Sequence, residues 1–433
     1  MDDVWVILRV FLGIAIFISI AWLISKKRNA VSWRLVLVGF LLQITFGILI
    51  TQVGFTTKAF GWLSNEFARL MSFSFDGSKF LFGSLANEDT HGFIFALQVL
   101  PTIIFFSSIS AGLYYLGVLQ RIVKSIAWVM SRTMRLSGPE SLSAAGNIFL
   151  GQTEAPLFVR PFIQKMTYSE LMCLMTGGMA TISGGILAGI LALWVQEFGM
   201  EEREQFATFL LSASVMNAPA AIVFAKIVIP ETESEKLNKE LNVAQHFGGV
   251  NLIDALARGA TDGLKLALNV GAMVLVFIAL IAALNYLLRD LIGDVTGLNE
   301  IIQSSTNNNF DGLTMEYLLG SVFRVFAFLM GVEWQETLVV GSLLGQKTVL
   351  NEYIAYIDLT RVTKEGLLSS NSRIIATYAL CGFANFSSIA IQIGGIGGMA
   401  PDRQGDISKL GIRALVAATL ATMTSGAIAG ILY

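Results

Sequence analysis

The stretch Gly146-Asn147-Ile148-Phe149-Leu150-Gly151-Gln152-Thr153-Glu154-Ala155-Pro156 has the wrong chemistry for lipid. Two amides, a hydroxyl and a carboxylate fall within eight of its residues. A carboxylate at the bilayer centre costs roughly 2.5–3.5 kcal/mol on insertion scales, so such a residue persists only beside water, a partner or a solute. The surrounding chain makes that comparison relevant, because 54% of its 433 residues are hydrophobic and only 14% are charged. Such a composition marks a polytopic membrane protein rather than a soluble globular one.

Composition also excludes several functions. A net charge of −2 provides no basic field, so nucleic acid is not an expected partner. Only His91 and His246 are present, which argues against a His-based metal site or relay. No His-Glu-x-x-His and no nucleophile–base pair stands out, so an intramembrane enzyme has little support and the chain reads as a non-enzyme. Cys173 and Cys381 lie in apolar surroundings and read as buried thiols, although spacing alone leaves a disulfide open.

Outward from the central stretch, the chain alternates spans and polar connections. Val4 to Ile24 is long enough to cross, and Met1-Asp2-Asp3 lacks the positive start of a signal peptide, so this run is expected to stay as a span. Lys26-Lys27-Arg28 follows, which places that end in the cytoplasm and the N-terminus outside it. Leu35 to Val53 returns outward, and His91 to Leu119 crosses inward to the basic cluster Arg121, Lys124, Arg132 and Arg135. Gly61 to Met71, Asn251 to Ala260 and Met315 to Met330 read as helices lying in the interface. Ala207 to Ile229, Leu264 to Leu288 and Leu410 to Tyr433 read as further crossings, with Pro230 to Val250 and Asp290 to Asp311 as polar connections.

Two regions depart from simple spans. Pro139 to Lys165 holds two apolar pieces too short to cross, split at Gly151-Gln152-Thr153, as expected of a re-entrant helical hairpin whose tip is sheltered by protein or water. Leu171 to Gln196 then carries Thr181-Ile182-Ser183-Gly184-Gly185 at its middle, which weakens the helix. The pattern recurs: Trp334 to Val349 is a short amphipathic piece broken at Leu350-Asn351-Glu352, and Ile374 to Ile393 is a span interrupted at Asn385-Phe386-Ser387-Ser388. Glu154 precedes Thr181 by 27 residues and Glu352 precedes Asn385 by 33. This arrangement matches the internal repeats of secondary transporters. The expected fold is an all-α polytopic membrane protein with about eight transmembrane helices, two re-entrant hairpins and interfacial helices.

The expected division is 1–90 for the N-terminal helices, 91–138 for a scaffold span and 139–230 for the first half of a transport domain. Residues 231–333 would supply a loop, interfacial helices and a scaffold span, and 334–433 the second half.

At each tip one half-helix offers unpaired N–H groups and the other offers carbonyls. Thr153 is the expected N-cap of the limb that follows it, with Pro156 tolerated in its first turn. Gln152 can read a polar ring edge, and Glu154 and Glu352 can accept strong hydrogen bonds from hydroxyls or amides. Asn147, with freed carbonyls near Leu150, Thr181 and Ile182, offers the neutral oxygens that bind a hard monovalent cation. Two readings stay open there, because Asn147 could instead cap a helix and Thr181 could bond back within its own.

Gly-Gln-Thr-Glu-Ala-Pro at 151–156, Asn-Glu-Tyr-Ile-Ala-Tyr at 351–356 and Cys-Gly-Phe-Ala-Asn-Phe-Ser-Ser-Ile at 381–389 resemble the concentrative nucleoside transporters. The resemblance runs from about residue 90 to the end and includes Gly-Gly-Ile-Gly-Gly-Met-Ala-Pro at 394–401. It implies a homotrimer in the plasma (inner) membrane that imports nucleosides such as uridine with sodium, or alternatively protons, by an elevator-like shift of a transport domain. By motif, Gln152, Thr153 and Glu154 would meet the nucleobase, Ile186 and Phe383 would pack on it, and Glu352, Asn385 and Ser388 would bind the ribose. Asn147, Thr181 and the carbonyls of Leu150 and Ile182 would hold the cation. Thr181 replaces the serine of the sodium-coupled pattern but keeps its hydroxyl, which favours Na+. Rival readings are a channel, which would not accumulate its solute, and a transporter of another polar solute such as a nucleobase.

Overall fold

The computed structural model describes residues 2–86, 91, 94–199, 202–241 and 250–433, and every regular element among them is helical. His246 lies outside the described residues. Among the described residues, seven helices are long and apolar enough to cross a membrane by length and composition.

The elements that matter for the site form two matching sets. Before them come α1 (Asp2–Leu23), α2 (Trp33–Thr51), α3 (Gly54–Phe82), α4 (Leu100–Tyr115) and α5 (Val118–Met134). The first set is α6 (Gly138–Asn147), a non-helical tip, a 3-10 limb (Ala155–Val159), then α7 (Tyr168–Ala180), α8 (Gly184–Phe198) and α9 (Arg203–Val228). After α10 (Leu252–Asn285) and α11 (Met315–Leu329), the second set follows. It comprises α12 (Thr337–Val349), α13 (Glu352–Lys364), α14 (Ser370–Leu380), α15 (Phe386–Met399) and α16 (Gln404–Leu432).

Contacts fix the direction of each set. At one end of α1, Lys26 N–H donates to Val228 O at 2.9 Å and the Lys26 ammonium sits over the Tyr168 ring. The C-terminus of α9, the N-terminus of α7 and the open base of the first hairpin therefore share that end. The N-terminal half of α1 instead packs on Leu329 and Gly331, next to the base of the second hairpin, where Glu336 accepts from Ser369 N and Oγ. The hairpins thus enter from opposite ends. Each broken helix runs the whole way between those ends: Glu197, at the end of α8, pairs with Lys364 at the second hairpin's base, and Arg403, after α15, donates to Met166 O at the first. This is an inverted repeat, read from contacts rather than from sequence similarity.

Burial separates two kinds of helix. The broken helix α7–α8 and α9 are almost wholly buried, as are the hairpin limbs, whereas α10 exposes Leu268, Leu275, Val276, Ile278 and Leu280. An apolar helix uncovered over most of its circumference belongs against lipid or another subunit. Helix α10 lies close on α4 because Gly259 and Gly263 let the backbones approach; a Cβ on Gly259 would fall 2.7 Å from Ser107 O.

Several expectations are corrected. Gly61 to Met71 is helical as expected but lies within the longer 29-residue helix α3, which is not among the seven candidate spans, whereas Asn251 to Ala260 is continuous with the following span in the 34-residue α10. Neither junction contains a proline or a cap strong enough to end a helix. Much of the Asp290 to Asp311 connection is helical, including a π-helical turn over Tyr286–Gly293 and a helix at Leu298–Ser305. Helix α12 starts at Thr337 and is buried from there through Lys347, so it is not amphipathic. The second break covers Cys381 to Asn385, ahead of Phe386-Ser387-Ser388, because Asn385 caps α15 and those three residues are already helical. Both cysteines are free and buried.

The two breaks abut. Phe383 N–H donates to Thr181 O at 3.3 Å, and Gly382 (φ +151°) passes so close that a Cβ there would sit 2.6 Å from Ala180 O. Gly382→Ala is therefore expected to cost about 1–3 kcal/mol from backbone strain, with the steric clash in addition. Thermal unfolding in detergent would read this as a clear fall in midpoint; an unchanged midpoint would mean that the breaks do not meet as described.

Candidate functional site

The first tip is held by short-range bonds. Gly146 O accepts from Phe149 N and Leu150 N, and Gly151 O accepts from Glu154 N and Ala155 N. The Glu154 carboxylate folds back to accept the Gly151 N–H at 3.0 Å. Thr153 is not the cap that its position suggested. The 3-10 limb starts at Ala155, so Glu154 takes the preceding position, while exposed Thr153 faces Gly395 on α15. Pro156 does occupy the first turn.

The second tip is a sharper turn. After α12 ends, Asn351 caps α13, its Oδ1 accepting from Ile354 N at 2.9 Å, which leaves Glu352 buried in the first helical turn. Each break also ends in a cap: Ser183 Oγ accepts from Ile186 N, and Asn385 Oδ1 accepts from Ser388 N at 2.8 Å.

A chain of hydrogen bonds connects the second tip, the second break and the first tip. Asn385 Nδ2 donates to Glu352 Oε2 at 2.9 Å, and Gln152 Nε2 donates to Ser388 Oγ at 2.9 Å. All four residues are buried, and Gln152 Oε1 has no hydrogen-bond partner among the described residues. Phe383 is buried in the second break, two residues before Asn385, and Ile186 is buried in the first turn of α8. The structure thus brings Gln152, Glu352, Asn385 and Ser388 into one network, with Thr153 and Glu154 on the same tip as Gln152.

The four cation candidates also converge where the first tip meets the first break. Phe149 O accepts from Gly184 N at 3.2 Å, and a Cβ on Gly151 would touch Ser183. Asn147 is fully buried, yet neither atom of its amide has a hydrogen-bond partner among the described residues. An orphaned buried amide costs about 1–3 kcal/mol, so it indicates a missing polar ligand rather than a helix cap. The Thr181 hydroxyl does bond back, donating to Gly177 O at 2.8 Å, and that bond leaves the oxygen's lone pairs free to face a cation. The carbonyls of Leu150 and Ile182 accept no hydrogen bond among the described residues. A donor set of one amide, one hydroxyl and two carbonyls, all neutral oxygens, fits a hard monovalent cation.

Sequence reading missed the buried charges. Lys226, on apolar α9, pairs with Glu140 and donates to Ser169 Oγ at 3.0 Å, with Glu231 at 3.8 Å. Glu140 and Glu170 each complete a capping box, on α6 and α7. This cluster binds the base of the first hairpin to α7 and α9. Its signal was present as a lone lysine in an apolar helix, which a hydropathy average dilutes. Gln392 and Lys347, both buried, were missed for the same reason.

Three family descriptions match the chain in order: the N-terminus of the Na+ dependent nucleoside transporters at residues 12–85, a nucleoside-recognition gate at 96–196, and the C-terminus of the Na+ dependent nucleoside transporters at 209–430. The chain belongs to the Na+-dependent nucleoside transporter family. It is 42% identical to the uncharacterized transporter YutK of Bacillus subtilis over 97% of this chain and 98% of that one. It is 39% identical to the mouse sodium/nucleoside cotransporter 1, over 98% of this chain and 63% of the longer relative. Among solved structures it resembles CNTnw in an inward-facing substrate-bound state, with a TM-score of 0.85 at 39% identity over 99% of this chain and 98% of that one. A doubly substituted CNTnw in an outward-facing state gives a TM-score of 0.86 at 39% identity, with the same coverage. As a member of a sodium-dependent nucleoside transporter family, the protein is a multi-pass membrane transporter and not an enzyme, and sodium is its coupling ion.

The Glu140–Lys226 pair gives the site its mechanical footing. Lys226→Met leaves the Glu140 carboxylate buried without its partner and is expected to cost about 3–5 kcal/mol. The double variant Glu140→Gln, Lys226→Met should recover much of that loss. Unfolding midpoints of the three proteins check this, and equal loss in the single and double variants would contradict it.

Proposed function

We propose that this protein imports nucleosides such as uridine by symport with sodium, through an elevator-type movement of the two hairpins and broken helices against a scaffold. The observation that carries this reading is the junction itself: an orphaned Asn147 amide on one side of the first tip, and the Gln152–Ser388–Asn385–Glu352 chain on the other. In this reading Asn147, Thr181 and the carbonyls of Leu150 and Ile182 surround sodium. Gln152, Thr153 and Glu154 meet the nucleobase, directly or through water. Ile186 and Phe383 pack against the base, and Glu352, Asn385 and Ser388 take the ribose hydroxyls, exchanging bonds among themselves for bonds to substrate.

The mechanism follows from the cost of burying charge. In the empty protein the carboxylates at the tips would cross low dielectric with part of their hydrogen-bonding capacity unmet, which raises the barrier to movement. Ribose hydroxyls satisfy the Glu352 oxygens and the nucleobase, directly or through water, those of Glu154, while sodium takes the Asn147 amide oxygen and the free carbonyls. Coupling arises because sodium and nucleoside together complete the network, so that the loaded movement is favoured over the half-loaded one. The division into transport domain (139–230 and 334–433) and scaffold (91–138 and 231–333, with the helices of 1–90) is part of this proposal. It is supported by the contrast between buried α7–α9 and exposed α10.

The exposed apolar face of α10 suits a subunit contact in a homotrimer within the bilayer. Lys26, Lys27 and Arg28 lie at the end where the first hairpin opens, which by the positive-inside tendency is cytoplasmic. The N-terminus would then lie outside the cytoplasm, in the inner membrane of a bacterial-type cell.

Reconstituted into proteoliposomes, the protein should accumulate labelled uridine only with an inward sodium gradient, and Asn147→Ala should abolish the sodium requirement or the uptake. Accumulation driven by a pH gradient alone would contradict the sodium site, and flux without accumulation would indicate a channel. Glu352→Gln should lower uridine affinity about tenfold or more, the value of a charge-assisted hydrogen bond. Unchanged affinity and uptake would remove Glu352 from the ribose site.

A further inference from the structure

Lys347 is one of the largest fully buried side chains in the protein, at 1% exposure, and it has no part in the site described above. It lies near the end of α12, shortly before the second tip. Its Nζ donates to Ala379 O at 2.7 Å and to Thr422 Oγ1 at 2.8 Å. No carboxylate pairs with it among the described residues. This differs from Lys226, which is equally buried but is matched by Glu140. A buried ammonium without a counter-ion is costly, so its position needs a reason.

The inverted repeat supplies one. Corresponding helices start about 200 residues apart, as Gly138 and Thr337, Tyr168 and Ser370, Gly184 and Phe386, and Arg203 and Gln404 show. In the first set, the end of the first hairpin limb carries Asn147. It faces the last turn of α7, where Gly177 O and the Thr181 hydroxyl lie. In the second set, the end of the first hairpin limb carries Lys347, and it reaches the last turn of α14 at Ala379 O. The C-terminal turn of a half-helix presents unsatisfied carbonyls and a partial negative charge, and it therefore attracts a cation. In the first set the groups around that turn are neutral oxygens with an orphaned amide. In the second set the Lys347 Nζ already occupies it, with one carbonyl and one hydroxyl as its acceptors.

We propose that the Lys347 ammonium is a built-in cation, filling in the second repeat the position that sodium takes in the first. It holds the second tip against the end of α14 permanently, and it supplies positive charge on the side of the network where Glu352 lies. Because that position is filled, the second repeat has no place for a mobile cation. The protein then couples one sodium to each nucleoside, although its fold contains two related half-sites. The inference rests on the sodium position proposed above at Asn147.

The test is the ratio of sodium to uridine flux in proteoliposomes clamped at defined voltages, together with uridine binding to detergent-solubilised protein. The unsubstituted protein should move one sodium per uridine, with a sodium Hill coefficient of about one. A ratio of two would overturn the proposal without any variant being made. Lys347→Arg, which keeps the charge, should retain the ratio and bind uridine within about threefold of the unsubstituted protein. Lys347→Met should bind uridine at least about tenfold more weakly while sodium alone still raises its unfolding midpoint, since the Asn147 position is untouched. A Met variant that binds and transports normally would overturn the proposal, as would an Arg variant as impaired as the Met variant. Loss of the sodium-induced shift in Asn147→Ala is the separate control: if that shift persists, the sodium position itself is wrong, whatever Lys347 does.

Discussion

Non-helical backbone inside a bilayer has to find its hydrogen bonds in protein, because lipid offers none. Among the described residues the two hairpin tips and two helix breaks are such places, and the architecture satisfies them partly against one another and partly from α9. Phe149 O takes the N–H of Gly184, Thr181 O takes that of Phe383, and Asn217 on α9 donates to Cys381 O at 2.7 Å. Ser214, also on α9, serves Ile148 O. Polar groups that would be ruinous singly become tolerable because they are gathered at one level of the protein, where opposed half-helix ends supply donors and acceptors. Asn147, Leu150 O, Ile182 O and Gln152 Oε1 are among the groups left without a partner, and in the proposed function their capacity is what sodium and a nucleoside would take up.

Charge is handled differently at the two depths. Near the base of the first hairpin, Glu140, Glu170, Lys226 and Glu231 form a closed cluster with capping boxes and a direct ion pair, which makes a rigid foot for a hairpin whose second limb is only a 3-10 turn and a short helix. At the level of the tips, charges are single: Glu154 folds onto its own backbone, Glu352 takes an amide, and Lys347 takes a carbonyl and a hydroxyl. The tip carboxylates, held by neutral dipoles, can respond to a ligand, whereas Lys347 is fixed on its two acceptors and a paired cluster cannot move without breaking. In the first hairpin the contrast separates a rigidly paired base from a tip whose carboxylate is held only by backbone.

Much of this was legible in the sequence because the informative signals were violations of hydropathy. Gln152, Glu154 and Glu352 are conspicuous in an apolar chain, and the amide–carboxylate tip followed by a weakened helix occurs twice, so both hairpins and both broken helices could be placed. What failed was local. Thr153 has good capping chemistry, but Pro156 fixes the limb start at Ala155 and hands the position to Glu154. The second break was placed late because Asn385 was read as its beginning, whereas Asn385 ends it by capping α15. The helices expected at Gly61 to Met71 and Asn251 to Ala260 are too short because polar residues on one face resemble a boundary, and nothing in those stretches stops a helix. The buried lysines stand out only weakly in an apolar helix, and their partners cannot be read because they lie far along the chain: Lys226 and Glu140 are 86 residues apart, and Lys347 and Thr422 are 75.

The central claim is that sodium and nucleoside complete one shared network. The most direct measurement is equilibrium uridine affinity across a range of sodium concentrations, with the reciprocal titration of sodium at fixed uridine. If the two ligands share the network, each should tighten the other by the same factor, as linkage requires, and Asn147→Ala should remove that factor from both titrations. Uridine affinity that does not change with sodium would contradict the account, since the two half-sites would then be independent and their meeting at the tips would have no role in coupling.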